Sequence, residues 1–451
     1  MRTKSFIQRM AGLVSAVTAI AAFSTPSLAF NVYEKDSTEL NVDIEAVLGV
    51  FYSEESYSLG AKSEAGDAKW QEGYIKYGLS GSQAMGAGSG LYGAVNLVTS
   101  GTWGDGDAGG VTSGNERETE LEDAYVGWRS GRLIPVLGDD GLDISIGRQP
   151  FTIGDGFLIN DDALNFGDAL SAPGLDFDRG GAYWLAARKA FDQTAIARIG
   201  GSDGLRADLF WLSSDNRAQA EMELAGVNAE YVSQKGTFGL TYMEGLDVDD
   251  TFAPLTGYSS RDGQQTTSFR YQGNAGVEDF FLSAEFVTQK PGDSSGNDAN
   301  AWYAEAGWTF SDVPWSPSIN YRFSSFDQGF DPLFFGFNRG YGTWFQGEVA
   351  ANYAGPFNSG TDVHHLGLKA TPSETLSVGA LLFDFSDTAG GSGSLNAQEV
   401  NLYAEWVATP HLIISPVVGF YNPDKSAAEG GSQIGSNDTS TYAQIIAIMP
   451  F

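Results

Sequence analysis

Apolar and polar residues alternate with period two along most of this chain. Leu40, Val42, Ile44, Ala46, Leu48 and Val50 form one row, and Asn41, Asp43, Glu45, Val47 and Gly49 form the other. In an extended strand each row faces its own side. The pattern returns at Ala124, Val126 and Trp128, at Phe280, Leu282, Ala284 and Phe286, and at Trp302, Ala304, Ala306, Trp308 and Phe310. It recurs at Ile319, Tyr321 and Phe323 and at Val400, Leu402, Ala404 and Trp406. No segment of similar length carries a 3.6-residue period, so the chain reads as all-β. Alternation also suits a soluble sandwich. The aromatic residues near strand ends, such as Trp70, Trp128, Trp315 and Trp406, instead resemble the interfacial girdles of a transmembrane barrel.

A closed barrel with both termini on one side must alternate short turns with long loops. Short turns are expected at Ser233 to Gly236, Gly273 to Gly276, Ser311 to Pro314, Thr371 to Glu374 and Thr409-Pro410. Long loops are expected near 53–68, 102–118, 150–180, 214–221, 246–264, 290–299, 327–361, 386–396 and 422–439. The alternation works when Gly181 to Phe191 is a strand, Thr194 to Gly200 is an extension of the following turn, and Tyr341 to Tyr353 is loop. The result is an up-and-down transmembrane antiparallel β-barrel of about 18 strands, with 16 as the alternative. Pro416 and Pro317 are expected at bulges or strand ends, because proline supplies no ladder donor.

Arg2, Lys4 and Arg9 precede an apolar run from Met10 to Phe23, and Ser27-Leu28-Ala29 supplies small residues for cleavage. This is the layout of a secretory signal peptide over residues 1–29, too short to span a bilayer comfortably. The single barrel domain then covers 30–451, and losing three basic residues takes the formal charge from -32 to -35. The last strand alternates through Ala443, Ile445, Ala447 and Met449 to the terminal Phe451, which resembles the signal read by the barrel-assembly machinery.

Composition narrows the function. The 451 residues include 58 Gly, no Cys, 57 Asp+Glu and 25 Lys+Arg, with 13% aromatic content. So many rings exclude a disordered acidic chain. Strong acidity leaves no phosphate-neutralising surface for nucleic acid, and thiolate metal sites are absent. The histidines number three, His364, His365 and His411, and no metal or nucleophile motif accompanies them. An enzyme and a bound cofactor are not expected.

A barrel of this size encloses a lumen too wide for side chains to fill. Passive transport of a small hydrophilic solute follows as the expected function, with a plugged structural or adhesive barrel as the alternative. The inward row carries Asp43, Glu45, Asp123, Asp208, Asp279, Glu285, Glu305, Glu399 and Glu405, together with Arg129, Arg206, Arg270, Arg322 and Lys369. Carboxylates outnumber bases, which predicts a weak cation preference.

The 150–180 loop is the expected constriction. It carries Asp155, Asp161, Asp162, Asp168, Asp176 and Asp178 beside the apolar anchors Phe151, Phe157, Leu158, Phe166 and Phe177, and it ends at Arg179. Folded into the lumen, it would set Asp162 or Asp178 opposite the wall arginines Arg148, Arg188 and Arg206, giving a transverse field. Outer-loop acids such as Asp105, Asp107, Asp247, Asp249 and Asp250 would face lipopolysaccharide, either as solvated loops or bridged by divalent cations.

Several short motifs carry a resemblance: Asp123-Ala124-Tyr125-Val126-Gly127-Trp128, Ile144-Ser145-Ile146-Gly147-Arg148-Gln149, Gly154-Asp155-Gly156-Phe157 and Phe177-Asp178. Phe330 to Phe334, Trp344 to Glu348 and His365 to Lys369 extend it. Together they resemble the alginate-export-type family of outer-membrane porins. The resemblance implies an 18-stranded monomeric barrel that passes a carbohydrate or organic acid. The excess of carboxylates departs from what a polyuronate exporter needs, because a like-charged wall repels the polymer.

Overall fold

The structure is a computed structural model that describes residues 30–293, 296–336, 346–389 and 393–450. The signal segment, Trp344-Phe345 and the terminal Phe451 lie outside the described residues.

Nineteen strands form one antiparallel sheet. A short β1 (Phe30–Lys35) pairs with the first residues of β2 (Thr38–Ser53). The chain then meanders through β3 (Ala68–Ala84), β4 (Gly90–Gly104), β5 (Arg117–Arg129), β6 (Leu142–Gln149), β7 (Phe191–Ile199), β8 (Gly204–Ser213) and β9 (Glu223–Ser233). It continues through β10 (Gly236–Asp247), β11 (Gln265–Gly273), β12 (Phe280–Lys290), β13 (Ala299–Thr309) and β14 (Ser318–Phe326). The last five are β15 (Thr361–Ser373), β16 (Leu376–Asp387), β17 (Ala397–Thr409), β18 (Leu412–Pro423) and β19 (Ser440–Pro450). β19 pairs with β2 from Tyr442↔Ser53 to Pro450↔Glu45, so β2 to β19 close an 18-stranded barrel.

The side chains sort as a lipid-facing barrel requires. Leu48, Val50, Ile75, Leu79, Val95, Val126, Ile146, Phe238, Phe269, Phe286, Trp302, Leu402 and Ile445 all stand exposed on the outer wall. So continuous an apolar belt is far larger than any patch a soluble monomer leaves in water. The two rims differ as parity demands: one holds short turns such as those at 234–235, 374–375 and 410–411 together with the longer 130–141 connection, and the other holds the longest connections, those at 150–190 and 327–360.

Two expectations are corrected. Residues 181–190 form no strand, and Thr194 to Gly200, expected as a turn extension, falls almost wholly within β7, Phe191–Ile199. Ala182, Tyr183, Leu185 and Ala186 alternate poorly and are all buried together, whereas Thr194, Ile196 and Arg198 alternate with outward Ala195 and Ala197 against β6 and β8. The loop after β6 therefore runs to residue 190. Pro416 needs no bulge: the β17–β18 register is the same at Tyr403↔Val417 and Trp406↔Ile414, and the ladder is simply interrupted opposite the proline.

Candidate functional site

The loops after β6 and β14 fold against the inner wall and against each other. The amide of Asn160 donates to the Phe334 carbonyl at 2.7 Å, that of Phe334 to the Leu158 carbonyl at 3.0 Å, and that of Gly336 to the Gly156 carbonyl at 2.8 Å. Two apolar clusters hold them. In one, Leu164, Phe166, Phe177, Tyr183, Trp184 and Leu185 pack with wall residues Phe51, Trp70 and Tyr442 and with Tyr353 of the second loop. In the other, Phe151, Phe157 and Ile159 pack with Phe210, Val287, Tyr303 and Phe326. Burial of this kind contributes about 25 cal/mol per Å² of apolar area.

Wall carboxylates add directed anchors. Glu72 on β3 accepts the Leu185 amide at 3.0 Å and the Trp70 indole N–H at 3.0 Å. Glu122 on β5 accepts the Lys189 and Ala190 amides at 2.7 and 3.0 Å. Glu399 on β17 accepts three amides of the second loop, from Glu348 at 2.6 Å, Val349 at 2.9 Å and Ala350 at 2.9 Å. Water cannot replace these acceptors, so breaking one of the bonds leaves a buried amide unsatisfied.

An ion cluster forms where the first loop leaves and rejoins the wall. Asp215, in the connection after β8, receives Arg148 at 2.9 Å, Arg188 at 3.0 Å and Arg179 at 3.2 Å. Arg148 also meets Asp192 at 2.6 Å, and Arg179 meets the fully buried Asp162 at 3.1 Å. Burial alone would raise the Asp215 carboxyl, but the summed pull of Arg179, Arg148 and Arg188 overrides it and holds the group well below the usual carboxylate range. Burial raises Asp162, with the Arg179 charge opposing. Arg188 is lowered by burial and then by its neighbouring guanidiniums, Arg179 foremost.

Beyond this cluster, residues Pro150 to Asp155 run between two polar cavities. One, of about 320 Å³, is lined by Asp43, Glu45, Lys76, Asn96, Asp123 and Gln149. The other, of about 180 Å³, is lined by Asp155, Arg206, Glu230, Arg270, Gln272 and Tyr303. Asp155 at the loop tip accepts from Gln272 at 2.7 Å, Ser283 at 2.9 Å and Tyr303 at 2.7 Å. Glu230 bridges Arg206 and Arg270. The first cavity holds three carboxylates and one lysine, and the second balances two arginines with two carboxylates.

The expected site residues thus divide. Arg148, Arg179, Arg188 and Asp162 come together, as do Asp155, Arg206 and Arg270. Arg188 is a loop residue and not a wall residue. Among the described residues Asp178 faces no arginine; its carboxylate accepts the Gly180 amide at 2.8 Å. Arg129 stands near the short-turn rim, over Tyr92 and 3.1 Å from Asp143, away from the loop. Arg322 is buried on β14, 3.6 Å from Glu305. Asp279, expected on the inner row, belongs to the turn before β12. His364 lies on the outer wall, with Nδ1 2.6 Å from the Tyr321 hydroxyl, and His365 on the inner wall against Phe383. Asp215, Asp192, Glu72 and Glu122 were not singled out by the sequence. Their partners lie up to 113 positions away, and no local pattern marks them.

A closed 18-stranded antiparallel meander with long loops on one rim and inward-folded loops is the architecture of porin-type barrels. The structural likenesses agree. OprD of Pseudomonas aeruginosa superposes with a TM-score of 0.53 at 12% identity, covering 97% of each chain. OccAB4 of Acinetobacter baumannii gives 0.56 at 10% identity over 94% of this chain and 99% of its own. OccK3 (OpdO) of Pseudomonas aeruginosa gives 0.55 at 10% identity over 90% and 95%. No family model and no curated protein matches the chain. The likeness lies with OprD and Occ barrels, so the alginate-export type expected from the motifs is not supported while the porin fold is.

Proposed function

We propose that the chain is a channel of a bacterial outer membrane for passive passage of small hydrophilic solutes, a carbohydrate or an organic acid. The carrying observation is the pair of polar cavities, one rich in carboxylates and one bearing arginine, on either side of the Pro150–Asp155 segment. The cations there remain partly exposed, with Arg206 at 45% and Lys76 at 34% of the side chain, and each is paired with a more deeply set carboxylate, Glu230 and Asp123. Such a setting orients dipolar or hydroxylated solutes without binding them tightly. In this reading the 150–190 loop is the constriction, and Arg148, Asp155, Asp162, Arg179, Arg188, Arg206 and Arg270 set its field. The mature chain begins near Phe30, inserts as a monomer through the assembly machinery that reads Phe451, and sits among lipopolysaccharide. Conductance of the refolded chain in planar bilayers tests this: discrete steps with weak cation selectivity in a salt gradient are expected. A second reading, a plugged structural or adhesive barrel, is favoured by the apolar packing of the inward loops. Absence of any step above background would leave that reading alone.

A further inference from the structure

The outer wall of a bilayer-spanning barrel faces acyl chains, and most of this one is studded with side chains. Outward glycines meet across neighbouring strands at Gly73↔Gly101 and Gly81↔Gly93 of β3 and β4 and at Gly236↔Gly273 of β10 and β11. The pair Gly73↔Gly101 lies toward the long-loop rim, and there two adjacent outward positions carry no side chain. Leu48 on β2 and Arg117 on β5 flank them in the same row. The result is an outward notch of about 400 Å³, lined by Leu48, Ile75, Trp103, Arg117, Thr119 and Met449.

The notch has an apolar floor and a cationic edge. Arg117 opens β5 directly after the long 105–116 connection, so it lies on the long-loop rim, which faces the outside. Its guanidinium stacks on the Trp103 ring at 4.1 Å, and one of its nitrogens donates to the carbonyls of Thr102 and Glu116. It makes no ion pair with a carboxylate among the described residues, in a chain with 57 acidic residues. A guanidinium held flat by a tryptophan at the boundary of the hydrocarbon presents its remaining donors to the headgroup layer, where its natural counter-charge is a phosphate. Trp103 also sits where interfacial tryptophans gather.

We propose that this notch binds one phosphate-bearing glycolipid of the outer leaflet, with an acyl chain over Gly73 and Gly101 and a phosphate on Arg117. Each methylene taken up favours binding through ordinary apolar burial, and the phosphate fixes the register. The site is separate from the lumen and does not depend on the transport reading.

The test is native mass spectrometry of the refolded chain in mixed micelles holding equimolar diphosphoryl lipid A and phosphatidylethanolamine. One lipid A is expected to be retained per chain, and Arg117→Gln and Gly73→Leu are each expected to lower retention by about tenfold. A Cβ at Gly73 meets the flexible end of Leu48 at 2.7 Å, then the Trp103 ring at 3.4 Å and the Val47 carbonyl at 3.5 Å, both ordinary contacts. Should Gly73→Leu fail to insert, Arg117→Gln decides alone. Equal retention by wild type and Arg117→Gln, equal retention of phosphatidylethanolamine, or a dimer of this chain that Gly73→Leu abolishes would each overturn the proposal.

Discussion

Asp215→Asn removes the one carboxylate that three guanidiniums share. Arg148, Arg179 and Arg188 have side chains only 7%, 4% and 9% exposed, so water cannot replace the lost charge. Two unit charges about 4 Å apart interact by roughly 4 kcal/mol at an effective dielectric near 20. Asp215 is itself 32% exposed, and solvent screening reduces each term. Removing one partner of a buried ion pair costs about 3–5 kcal/mol, and the low end suits this half-screened site. The local charge of three arginines against Asp162, Asp192 and Asp215 passes from balanced to one net positive. Loosening by about 3 kcal/mol raises the fraction of time the 179–188 segment is detached by roughly a hundredfold. Two readouts follow in the refolded chain. Trypsin, which needs an accessible arginine, is expected to cut after Arg179 or Arg188 in the variant and not in the wild type, and the single-channel reversal potential is expected to move toward anions. A variant with wild-type trypsin resistance and an unchanged reversal potential would refute the assignment of Asp215 as the hub.

Other perturbations address neighbouring parts of the site. Glu399→Ala strips three buried amides of their acceptor, at about 1–3 kcal/mol for each unsatisfied group, and is expected to speed hydrogen exchange at residues 348–350. Gly154 sits at φ +57 with Arg270 Cδ 2.8 Å from where a Cβ would stand, so Gly154→Val is expected to unseat the loop tip and enlarge the conductance step. For acid, the sign follows from Asp215. Its folded pKa is depressed, so its stabilisation is complete above the ordinary carboxylate value near ~3.9 and fades only as pH falls through the lower folded value. Trypsin resistance at Arg179 and Arg188, probed after acid exposure and return to neutral pH with the enzyme present during the jump, is expected to hold from pH 7 to 4 and to fail only in stronger acid.

The barrel was legible because lipid imposes period two on every strand: the rows of β2, β12, β13, β14 and β17 could be written directly, and parity of turns gave the strand count. β7 escaped because its outward row is largely alanine and isoleucine over nine residues, while the preceding Gly181 to Phe191 stretch is apolar for another reason, burial inside the lumen. Periodicity reports which side is apolar and cannot tell lipid from a packed loop. Glu122 escaped because the β4–β5 register shifts between Asn96 and Leu97, leaving both Glu122 and Asp123 buried. The arginines of the ion cluster were named, but Asp215 was not, since a single aspartate in a nine-residue connection carries no signal of partners 27 to 67 positions away.

Counting charges also misleads about the lumen, for a physical reason. A carboxylate that accepts several amide N–H bonds spends its field on them. Glu72, Glu122 and Glu399 are anchors of this kind, and Asp107 accepts the amides of Gly109, Gly110, Val111 and Thr112 within its own loop. What lines the cavities is a different set: Asp43, Glu45 and Asp123 against Lys76 on one wall, and Arg206 and Arg270 against Asp155 and Glu230 on the other. Anchors and field groups should therefore separate by experiment. Asp123→Asn removes a charge that pairs with Lys76 at 3.5 Å and with the Asn96 amide at 3.0 Å, and it holds no loop backbone. It is expected to reduce the cation preference while leaving the current as steady as in the wild type. Glu399→Ala is expected to do the reverse, adding fluctuation between conductance levels at nearly constant selectivity. Equal effects of both variants on both readouts would mean that the wall carboxylates act as one undivided field, and the division into anchors and field groups would fail.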